Sequence, residues 1–249
     1  ARACYLGKVG DDHEGRFIRQ TLEQEGVDVS GLVVSPRSRT TRAFVWIDGP
    51  SGLKSIAADR TGLESMRPGE ISREQVTAGR YLLIDGKEIE VALTAARWAR
   101  QAGAEVILDV GSQRTRAEEL LGLTDYLIVS ESFILQFDGH EDPEAVARDL
   151  SRLGPRVVVV TLGRRGSICL SGNDLIRQEA FSVPVVDTTG AGDVFHGGFI
   201  YGLLQGWDLA DIIRFASAAA AIKCGHMGGR EGVPTLAEVE GFLANAEGH

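Results

Sequence analysis

The chain has 249 residues, enough for one α/β domain with a large buried core. Its formal net charge is −9 at pH 7, which argues against nucleic acid or an anionic membrane surface as a partner. No apolar run approaches the roughly 20 residues that a membrane-spanning helix needs, and the three cysteines form no metal-binding pattern, so we expect reduced thiols in a cytoplasmic protein.

A helix is predicted near the start of the chain. Residues 14–25 carry Phe17, Ile18 and Leu22 at helical spacing, and Gly26 after them is suited to a C-cap. We therefore expect this helix to bury one apolar face that contains these three side chains.

A β-hairpin is predicted next. Residues 42–48 and 53–58 are short β-prone runs on either side of the turn sequence Gly-Pro-Ser-Gly at 49–52. Phe44 and Trp46 alternate along the first strand and share one face. The hairpin is either an ordinary sheet edge or a surface through which two copies associate.

From residue 81 onward, β-type and helical patterns alternate. Strands are predicted over 81–85, 105–110, 126–130 and 157–162, and helices over 88–101, 116–121 and 143–153. Repeated β–α units imply right-handed crossovers, and so a doubly wound, mostly parallel α/β sheet.

Ligands of such sheets bind beyond the carboxyl ends of the strands. The polar and glycine residues at these ends are Asp85, Lys87, Asp109, Ser130, Glu131, Thr161 and Gly163. Ordinary loops show the same composition, so each residue alone is weak evidence. The run from Thr161 through Gly163 to Gly166 is more informative, because glycines there let the backbone approach a nucleotide.

The strongest chemical pattern is Val-Asp-Thr-Thr-Gly-Ala-Gly-Asp-Val-Phe-His-Gly-Gly at 186–198. It follows an apolar, β-prone segment at 181–186 and leads into residues with helical spacing. The small residues 190–192 then lie at a loop-to-helix junction, where backbone N–H groups can meet an anion. Asp193 beside that anion suits a general base that accepts a proton from an attacking hydroxyl. The alternative is a capped helix after a tight turn.

The end of the chain predicts an Ala-rich helix at 212–224 and a glycine-rich loop at 225–234. Small residues permit close packing of this helix against either a neighbouring helix or a flat adenine ring. In the second case the loop would complete a nucleotide pocket.

Asp187-Thr188-Thr189-Gly190-Ala191-Gly192-Asp193, with Gly197-Gly198-Phe199-Ile200 after it, resembles the C-terminal signature of the PfkB (ribokinase-like) carbohydrate kinases. Similar segments of that family match Gly7-Lys8-Val9-Gly10-Asp11-Asp12 and Thr161-Leu162-Gly163-Arg164-Arg165-Gly166. The ketohexokinase and sulfofructose-kinase branch is the most similar part of the family at Arg214-Phe215-Ala216-Ser217, Lys223-Cys224 and Gly228-Gly229-Arg230.

The resemblance implies a ribokinase-like fold in which the hairpin at 40–60 is a small β lid over the sugar, often paired with the lid of a second subunit. It implies transfer of the γ-phosphoryl of ATP to a sugar hydroxyl, with Mg²⁺, and a monovalent cation such as K⁺ is a further candidate. A homodimer formed through the lid is expected.

The resemblance also implies roles for individual residues. The anion hole and catalytic base are Gly190, Ala191, Gly192 and Asp193. The nucleotide site is formed by Thr161, Gly163, Gly166, Thr188, Lys223, Cys224, Gly225 and Gly228. The sugar site contains Asp11, Asp85, Lys87 and Asp193, and the metal candidates are Glu131 and Asp187.

Two departures from the family pattern stand out. The run Ser130-Glu131-Ser132-Phe133 replaces an Asn-X-X-Glu that organises magnesium and phosphate in many members. The family also has a strand–helix region before the segment that begins at Gly7. We therefore expect residues 1–249 to form a single ribokinase-like domain without that region, and favour a truncated sequence over a naturally shortened protein.

The sequence thus predicts an ATP-dependent kinase acting on a small sugar, and the resemblance to the ketohexokinase and sulfofructose-kinase branch favours a ketose or a sulfo- or phospho-sugar. Lys87 aligns loosely with a cationic position of the sulfofructose kinases and is either a ligand for a sulfonate or phosphate of the sugar or an ordinary solvated lysine. A ribose or nucleoside kinase of the same family is an alternative. A kinase-like protein that binds nucleotide without catalysis is the alternative of a different class.

Overall fold

The computed structural model describes residues 1–47, 54–110, 117–134 and 142–246. Two small sheets come first along the chain. Strand β1 (Gly7–Gly10) pairs in parallel with β2 (Leu32–Ser35), and β3 (Arg42–Ile47) pairs antiparallel with β4 (Lys54–Asp59).

A central sheet carries the rest of the domain. Its strands are β5 (Tyr81–Ile84), β6 (Glu105–Val110), β7 (Tyr126–Ser130), β8 (Val157–Thr161), β9 (Ser167–Ser171) and β10 (Asp174–Gln178). They lie in the order β10-β9-β8-β7-β6-β5; neighbours from β5 to β8 are parallel, and β9 and β10 are antiparallel additions.

The helices follow the chain in the order α1 (His13–Gln24), α2 (Arg73–Ala78), α3 (Ile89–Gln101), α4 (Ala117–Leu121), α5 (Glu131–Ile134), α6 (Pro143–Ser151), α7 (Ala191–Gln205), α8 (Leu209–Cys224) and α9 (Leu236–Ala246). Short 3₁₀ turns occur at Pro68–Glu70 and Gly163–Arg165. No helix among the described residues is both long and apolar enough to cross a membrane.

Both faces of the central sheet are covered, because alternate residues of its mainly apolar inner strands point to opposite sides. On β8, Val158 and Val160 join the core formed with α3 and α6, whereas Val157 and Val159 join the core formed with α7 and α8. The predicted doubly wound, mostly parallel α/β fold is therefore confirmed.

The structure confirms some of the individual strands and turns predicted from the sequence, but not others. The hairpin strands form as predicted, with Phe44 opposite Ala57 and Trp46 opposite Ser55. The turn predicted at 49–52 lies outside the described residues, as do position 116 of the helix predicted at 116–121 and the strand ends at 48 and 53. Residues 181–186 were expected to be β-prone but form no strand.

The stripe predicted on α1 is correct only in part. Ile18 and Leu22 pack against a small core of Val9, Val29 and Leu32. Phe17 is half exposed instead, and the guanidinium of Arg230 lies 5.0 Å from its ring centre. This contact ties α1 to the glycine-rich loop after α8.

Candidate active site

The loop-to-helix junction before α7 is built around Gly190. This residue caps the helix with φ +81°, a left-handed conformation that L side chains rarely adopt. A Cβ atom there would lie 2.4 Å from the carbonyl oxygen of Gly229, in the loop after α8. The position therefore requires glycine both for its backbone angle and for the close approach of the second loop.

The first turn of α7 presents backbone donors. The amide of Ala191 already donates to the carbonyl of Thr188, at 3.2 Å. The amides of Gly192 and Asp193 have no partner among the described residues. Unpaired amides at a helix N-terminus, with the helix dipole behind them, form an anion site, and the exposed carboxylate of Asp193 lies beside it.

The carboxylate of Asp187 holds the loop before α7 in place through hydrogen bonds. It is almost fully buried, and its Oδ1 accepts the amide of Thr189 at 2.8 Å while its Oδ2 accepts the amide of Gly228 at 2.9 Å. Burial raises the pKa of Asp187, but these hydrogen bonds and the charge of Lys223 outweigh it, so the pKa lies below its usual value. The carboxylate thus joins two loops.

Lys223 completes the same connection. Its side chain is fully buried, and its ammonium donates to the carbonyls of Asp187 at 2.8 Å and His226 at 3.3 Å. The amides of Val186 and Asp187 in turn donate to the carbonyl of Cys224, at 2.8 and 3.2 Å. Lys223 and Cys224, predicted as nucleotide contacts, therefore bond to the protein backbone here.

The sugar-site candidates on the central sheet follow its strand ends. Asp85 and Lys87 come directly after β5 and pair with each other at 2.9 Å. Burial lowers the pKa of Lys87, but the hydrogen bond and charge of Asp85 outweigh it, so the pKa is raised. Asp109 lies on the neighbouring strand β6, where the charges of Asp85, Lys87 and Asp193 all act on it.

Asp109 and His196 form a contact that sequence reasoning missed. His196 is 6% exposed on α7; its Nδ1 lies 2.7 Å from the carbonyl of Gly192 and its Nε2 lies 3.8 Å from Oδ1 of Asp109. Because a carbonyl only accepts hydrogen bonds, Nδ1 is the donor. The imidazole thereby connects the sheet to the first turn of α7. The sequence placed Asp109 at a strand end but gave no signal for its partner on α7.

The carboxylates of Asp85 and Asp193 both act electrostatically on Asp109 near the start of α7. Burial is the main cause that raises the pKa of Asp109; His196 and Lys87 lower it, whereas Asp193 and Asp85 raise it further. A carboxylate with a raised pKa in a group of charged side chains is typical of functional sites.

The second predicted nucleotide segment lies at the end of β8. Thr161 is opposite Ser130 on β7, and Gly163 and Gly166 both have positive φ around the 3₁₀ turn. A Cβ at Gly166 would lie 1.9 Å from the carbonyl of Gln178, so this glycine holds the turn against β10. The predicted Thr-X-Gly-X-X-Gly thus forms a tight turn at the carboxyl end of β8.

The remaining predicted residues differ in placement. Thr188 accepts the amide of Ala191, Gly225 ends α8, and Gly228, with φ +95°, donates to Asp187. Asp11 is exposed and pairs with Arg16 at 3.2 Å. No contact of the described residues brings Asp11 to the acidic group at α7.

Asp12, the residue after Asp11, has a structural role at the start of α1. Its oxygens accept the amide of Gly15 and both the amide and hydroxyl of Thr40, which holds α1 against the segment leading to β3. The hydrogen bonds from Thr40 and Gly15 lower the pKa of Asp12 to about 2. The Asp-X-X-Gly spacing of an N-cap was the signal for it.

The two predicted metal ligands, Glu131 and Asp187, differ in how well they are placed to bind a metal ion. No three His, Cys, Asp or Glu side chains converge as a ligand set in the part of the chain that the structure describes. Mg²⁺ is commonly held by substrate phosphates, waters and one or two carboxylates, and Glu131 at the end of β7 fits such an outer position, although Arg165 now pairs with it. Asp187 is the weaker candidate, because each of its carboxylate oxygens already accepts a backbone amide.

Comparison with known proteins identifies the family of the chain. A family model described as pfkB family carbohydrate kinase matches residues 1–236. A 5-dehydro-2-deoxygluconokinase from Shouchella clausii is 29% identical and aligns over 96% of this chain and 80% of its own length. The ribokinase from Haemophilus influenzae is 28% identical, over 99% of this chain and 83% of its own.

Solved structures show the same fold. A protein described as a putative ribokinase II from E. coli, in complex with ATP and Mg²⁺, superposes with a TM-score of 0.90 at 24% identity, covering 98% of this chain and 84% of its own. A fructokinase double mutant from Vibrio cholerae, in a form bound to fructose, ADP and potassium ion, gives 0.84 at 25% identity, covering 98% and 85%.

The fold and the helix-terminus site together define a ribokinase-like kinase. With a family match over most of its length, the chain belongs to the pfkB family of carbohydrate kinases, and so is an ATP-dependent sugar phosphotransferase. The relatives named here are a 5-dehydro-2-deoxygluconokinase and a ribokinase. These matches do not single out the ketohexokinase and sulfofructose-kinase branch that the C-terminal motifs suggested.

Proposed function

We propose that Asp193 is the general base that deprotonates a sugar hydroxyl while the N-terminus of α7 receives the transferring γ-phosphoryl group of ATP. The observation that carries this proposal is the junction at Gly190, where unpartnered amides of Gly192 and Asp193 lie beside an exposed carboxylate. Those amides stabilise the negative charge that spreads over the phosphoryl oxygens during transfer. Asp193 accepts the proton as the hydroxyl oxygen attacks phosphorus and ADP leaves.

The sugar is proposed to lie over the carboxyl ends of β5 and β6. The carboxylates of Asp85 and Asp109 are acceptors for sugar hydroxyls, and Lys87 is already paired with Asp85. A net negative group of this kind favours a neutral polyhydroxylated sugar over the sulfo- or phospho-sugar expected from Lys87 alone. Ribose and fructose are therefore preferred candidates.

The nucleotide is proposed to lie between the turn at Thr161–Gly166 and the loop after α8. The two segments supply Gly163, Gly166, Gly225 and Gly228, whose lack of side chains lets backbone approach the base and phosphates. Mg²⁺ supplies charge neutralisation of the phosphates when bound, with Glu131 as its outer carboxylate. Lys223 and Asp187 hold the two loops together.

A second candidate substrate is 5-dehydro-2-deoxygluconate, because a kinase named for this sugar acid is 29% identical to the chain. Its carboxylate would require Lys87 to leave Asp85. Nucleoside phosphorylation, and nucleotide binding without catalysis, are the further outcomes that the test must separate.

The first test is Mg-dependent ADP release over a panel of ribose, fructose, 5-dehydro-2-deoxygluconate, sulfofructose and adenosine. With the best acceptor, Asp193→Asn is expected to lower kcat by about 10²- to 10⁴-fold, because the proton acceptor is lost. Its Kd for ATP, measured by titration calorimetry, is expected to stay within about twofold because the backbone amides remain.

Asp211→Asn is the matched control, because Asp211 is the third residue of α8 as Asp193 is the third residue of α7. It is expected to retain wild-type kcat. Equal losses of ATP affinity and kcat in Asp193→Asn would contradict the role of base. ATP binding with no acceptor-dependent ADP release would support the non-catalytic alternative.

We also propose that the hairpin of β3 and β4 is the lid and the dimer surface of this kinase. Phe44 is 64% exposed and Trp46 60% exposed on one face of a sheet with only two strands. Exposed aromatic pairs of this kind are typical of association surfaces. A cytoplasmic location remains a prediction from the cysteine pattern.

A further inference from the structure

Lys223 is a full positive charge in the interior of the protein. Its side chain has no exposed surface, and its ammonium donates to the backbone carbonyls of Asp187 and His226. Lysine is almost never fully buried unless its charge is compensated. The compensating charge here is the carboxylate of Asp187, whose pKa Lys223 lowers.

The two residues cross-connect the loop before α7 and the loop after α8. Lys223 at the end of α8 reaches the carbonyl of Asp187, and the carboxylate of Asp187 reaches the amide of Gly228 beyond α8. The same loops also approach each other closely where Gly190 meets Gly229. Because α7 begins at this junction, the position of its unpartnered amides depends on the cross-connection.

A monovalent cation at Asp187 would have to compete with the ammonium of Lys223, which already lies at the carbonyl oxygen of Asp187. The carbonyl oxygen and both carboxylate oxygens of this residue already accept hydrogen bonds from Lys223, Thr189 and Gly228. A potassium ion and an ammonium group carry the same charge, are similar in size, and are both bound by backbone carbonyl oxygens. The ammonium of Lys223 therefore occupies the position in which a bound K⁺ would use these oxygens.

We propose that Lys223 is a tethered cation that replaces a bound monovalent ion, so that this kinase folds its anion site and works without K⁺. Lys223 is a positioning residue in this account, since it acts on the start of α7 through Asp187. The inference rests on the proposed function only where activity is measured, because its primary readout is thermal unfolding.

The first experiment compares the wild-type chain in KCl and in tetramethylammonium chloride at equal ionic strength. The melting temperature is expected to be the same in both salts, because the ammonium of Lys223 already occupies the cation position at Asp187. Binding of K⁺ to the native state would instead raise the melting temperature as KCl increases. A rise of several degrees that saturates with KCl would overturn the proposal, whether or not a sugar substrate is known.

The second experiment uses two variants of different volume. Lys223→Ala removes the ammonium and leaves room, so NH₄Cl or KCl is expected to raise its melting temperature and, with an acceptor in hand, its kcat. Lys223→Met removes the charge but fills the space, so it is expected to be destabilised without rescue by either salt. Equal response of the two variants, or no response in Lys223→Ala, would contradict a cation-binding role.

Lys8→Ala is the control for losing a buried lysine elsewhere. Lys8 is 7% exposed in its side chain and pairs with Glu70 at 2.8 Å, far from Asp187 in the sequence. Its loss is expected to lower stability without creating a preference for K⁺ over tetramethylammonium. If no sugar is phosphorylated under any condition, the proposed function fails while the salt dependence of unfolding still decides the role of Lys223.

Discussion

At the scale of single residues, Asp109 combines a role in the proposed sugar site with a disadvantage for the fold. Burial, and the carboxylates of Asp193 and Asp85, act against its ionised form, and His196 and Lys87 only partly compensate. Its pKa is therefore higher in the folded chain than in the unfolded chain. The stability that this carboxyl contributes is fully present below the unfolded pKa and is lost as pH rises through the folded pKa.

Asp109→Asn is thus expected to raise the melting temperature at pH 7 to 8, because the amide never ionises. The gain should shrink toward pH 4, close to the unfolded pKa of Asp at about 3.9, where the wild-type carboxyl also becomes neutral. Thermal unfolding of both proteins across this pH range measures it. Asp174→Asn, at an exposed position on β10, should show no such pH-dependent difference. Lower stability of Asp109→Asn at every pH would mean that the contact with His196 outweighs the repulsion.

The same residues show how far a sequence can predict this site. Gly190 and Asp193 could be assigned because the loop, the helix start and the carboxylate lie within one contiguous motif. Asp109 and His196 are 87 positions apart by their residue numbers, and only the packing of α7 on β6 brings them together. Lys223 is assigned to the nucleotide site only by the family resemblance, and the sequence near the glycine-rich loop does not reveal that its side chain is fully buried.

At the scale of elements, α7 and α8 pack at close range because α7 carries glycines on the contact side. A Cβ at Gly198 would lie 2.9 Å from the Cα of Ala216, and one at Gly202 would lie 2.7 Å from Cγ1 of Ile212. Gly197, the neighbour of Gly198, has open space around it. Substitution of Gly197 therefore tests helix propensity alone, whereas substitution of Gly198 also tests the packing of α7 against α8.

Gly197→Ala is expected to stabilise the protein by about 0.5–1 kcal/mol, because alanine restricts the unfolded chain and favours helix. Gly198→Ala is expected to destabilise it by about 1–3 kcal/mol through overpacking against Ala216. Urea unfolding at one pH compares both with wild type. Equal stabilisation by the two substitutions would show that the helices can separate without cost.

The elements that the sequence predicted well are those with a clear period and an apolar run. The strands at Glu105–Val110 and Tyr126–Ser130 formed with the predicted boundaries. The strands β9 and β10 were not predicted, because the segments mix small, polar and charged residues and gain their order by pairing antiparallel to β8. The segment 181–186 is β-prone in composition but has no strand to pair with.

At the scale of the whole molecule, the lid hairpin needs an explanation for its exposed surface. A two-stranded sheet is marginally stable alone in water, and this one leaves Phe44, Trp46 and Ile56 more than half exposed. Val45 points to the other face of the hairpin from Phe44 and Trp46. Its cross-strand partner on β4 is Ile56. The two faces can therefore be tested separately.

Trp46→Asp is expected to convert the proposed dimer to a monomer, because it places a charge in an apolar contact. Val45→Asp, on the other face, is expected to leave the dimer intact. Sedimentation velocity over a range of protein concentrations measures both. A wild-type chain that stays monomeric at every concentration would exclude the lid as a dimer surface.

The contact between Gly190 and Gly229 also bears on how this protein can evolve. A side chain at 190 would strike a backbone oxygen, so no replacement at 229 makes room for it. The two loops are thus fixed against each other by a contact that no second substitution can compensate. Across related sequences, position 190 should be invariant without a covarying partner, and methods that infer contacts from correlated substitutions would not detect this contact between the two loops.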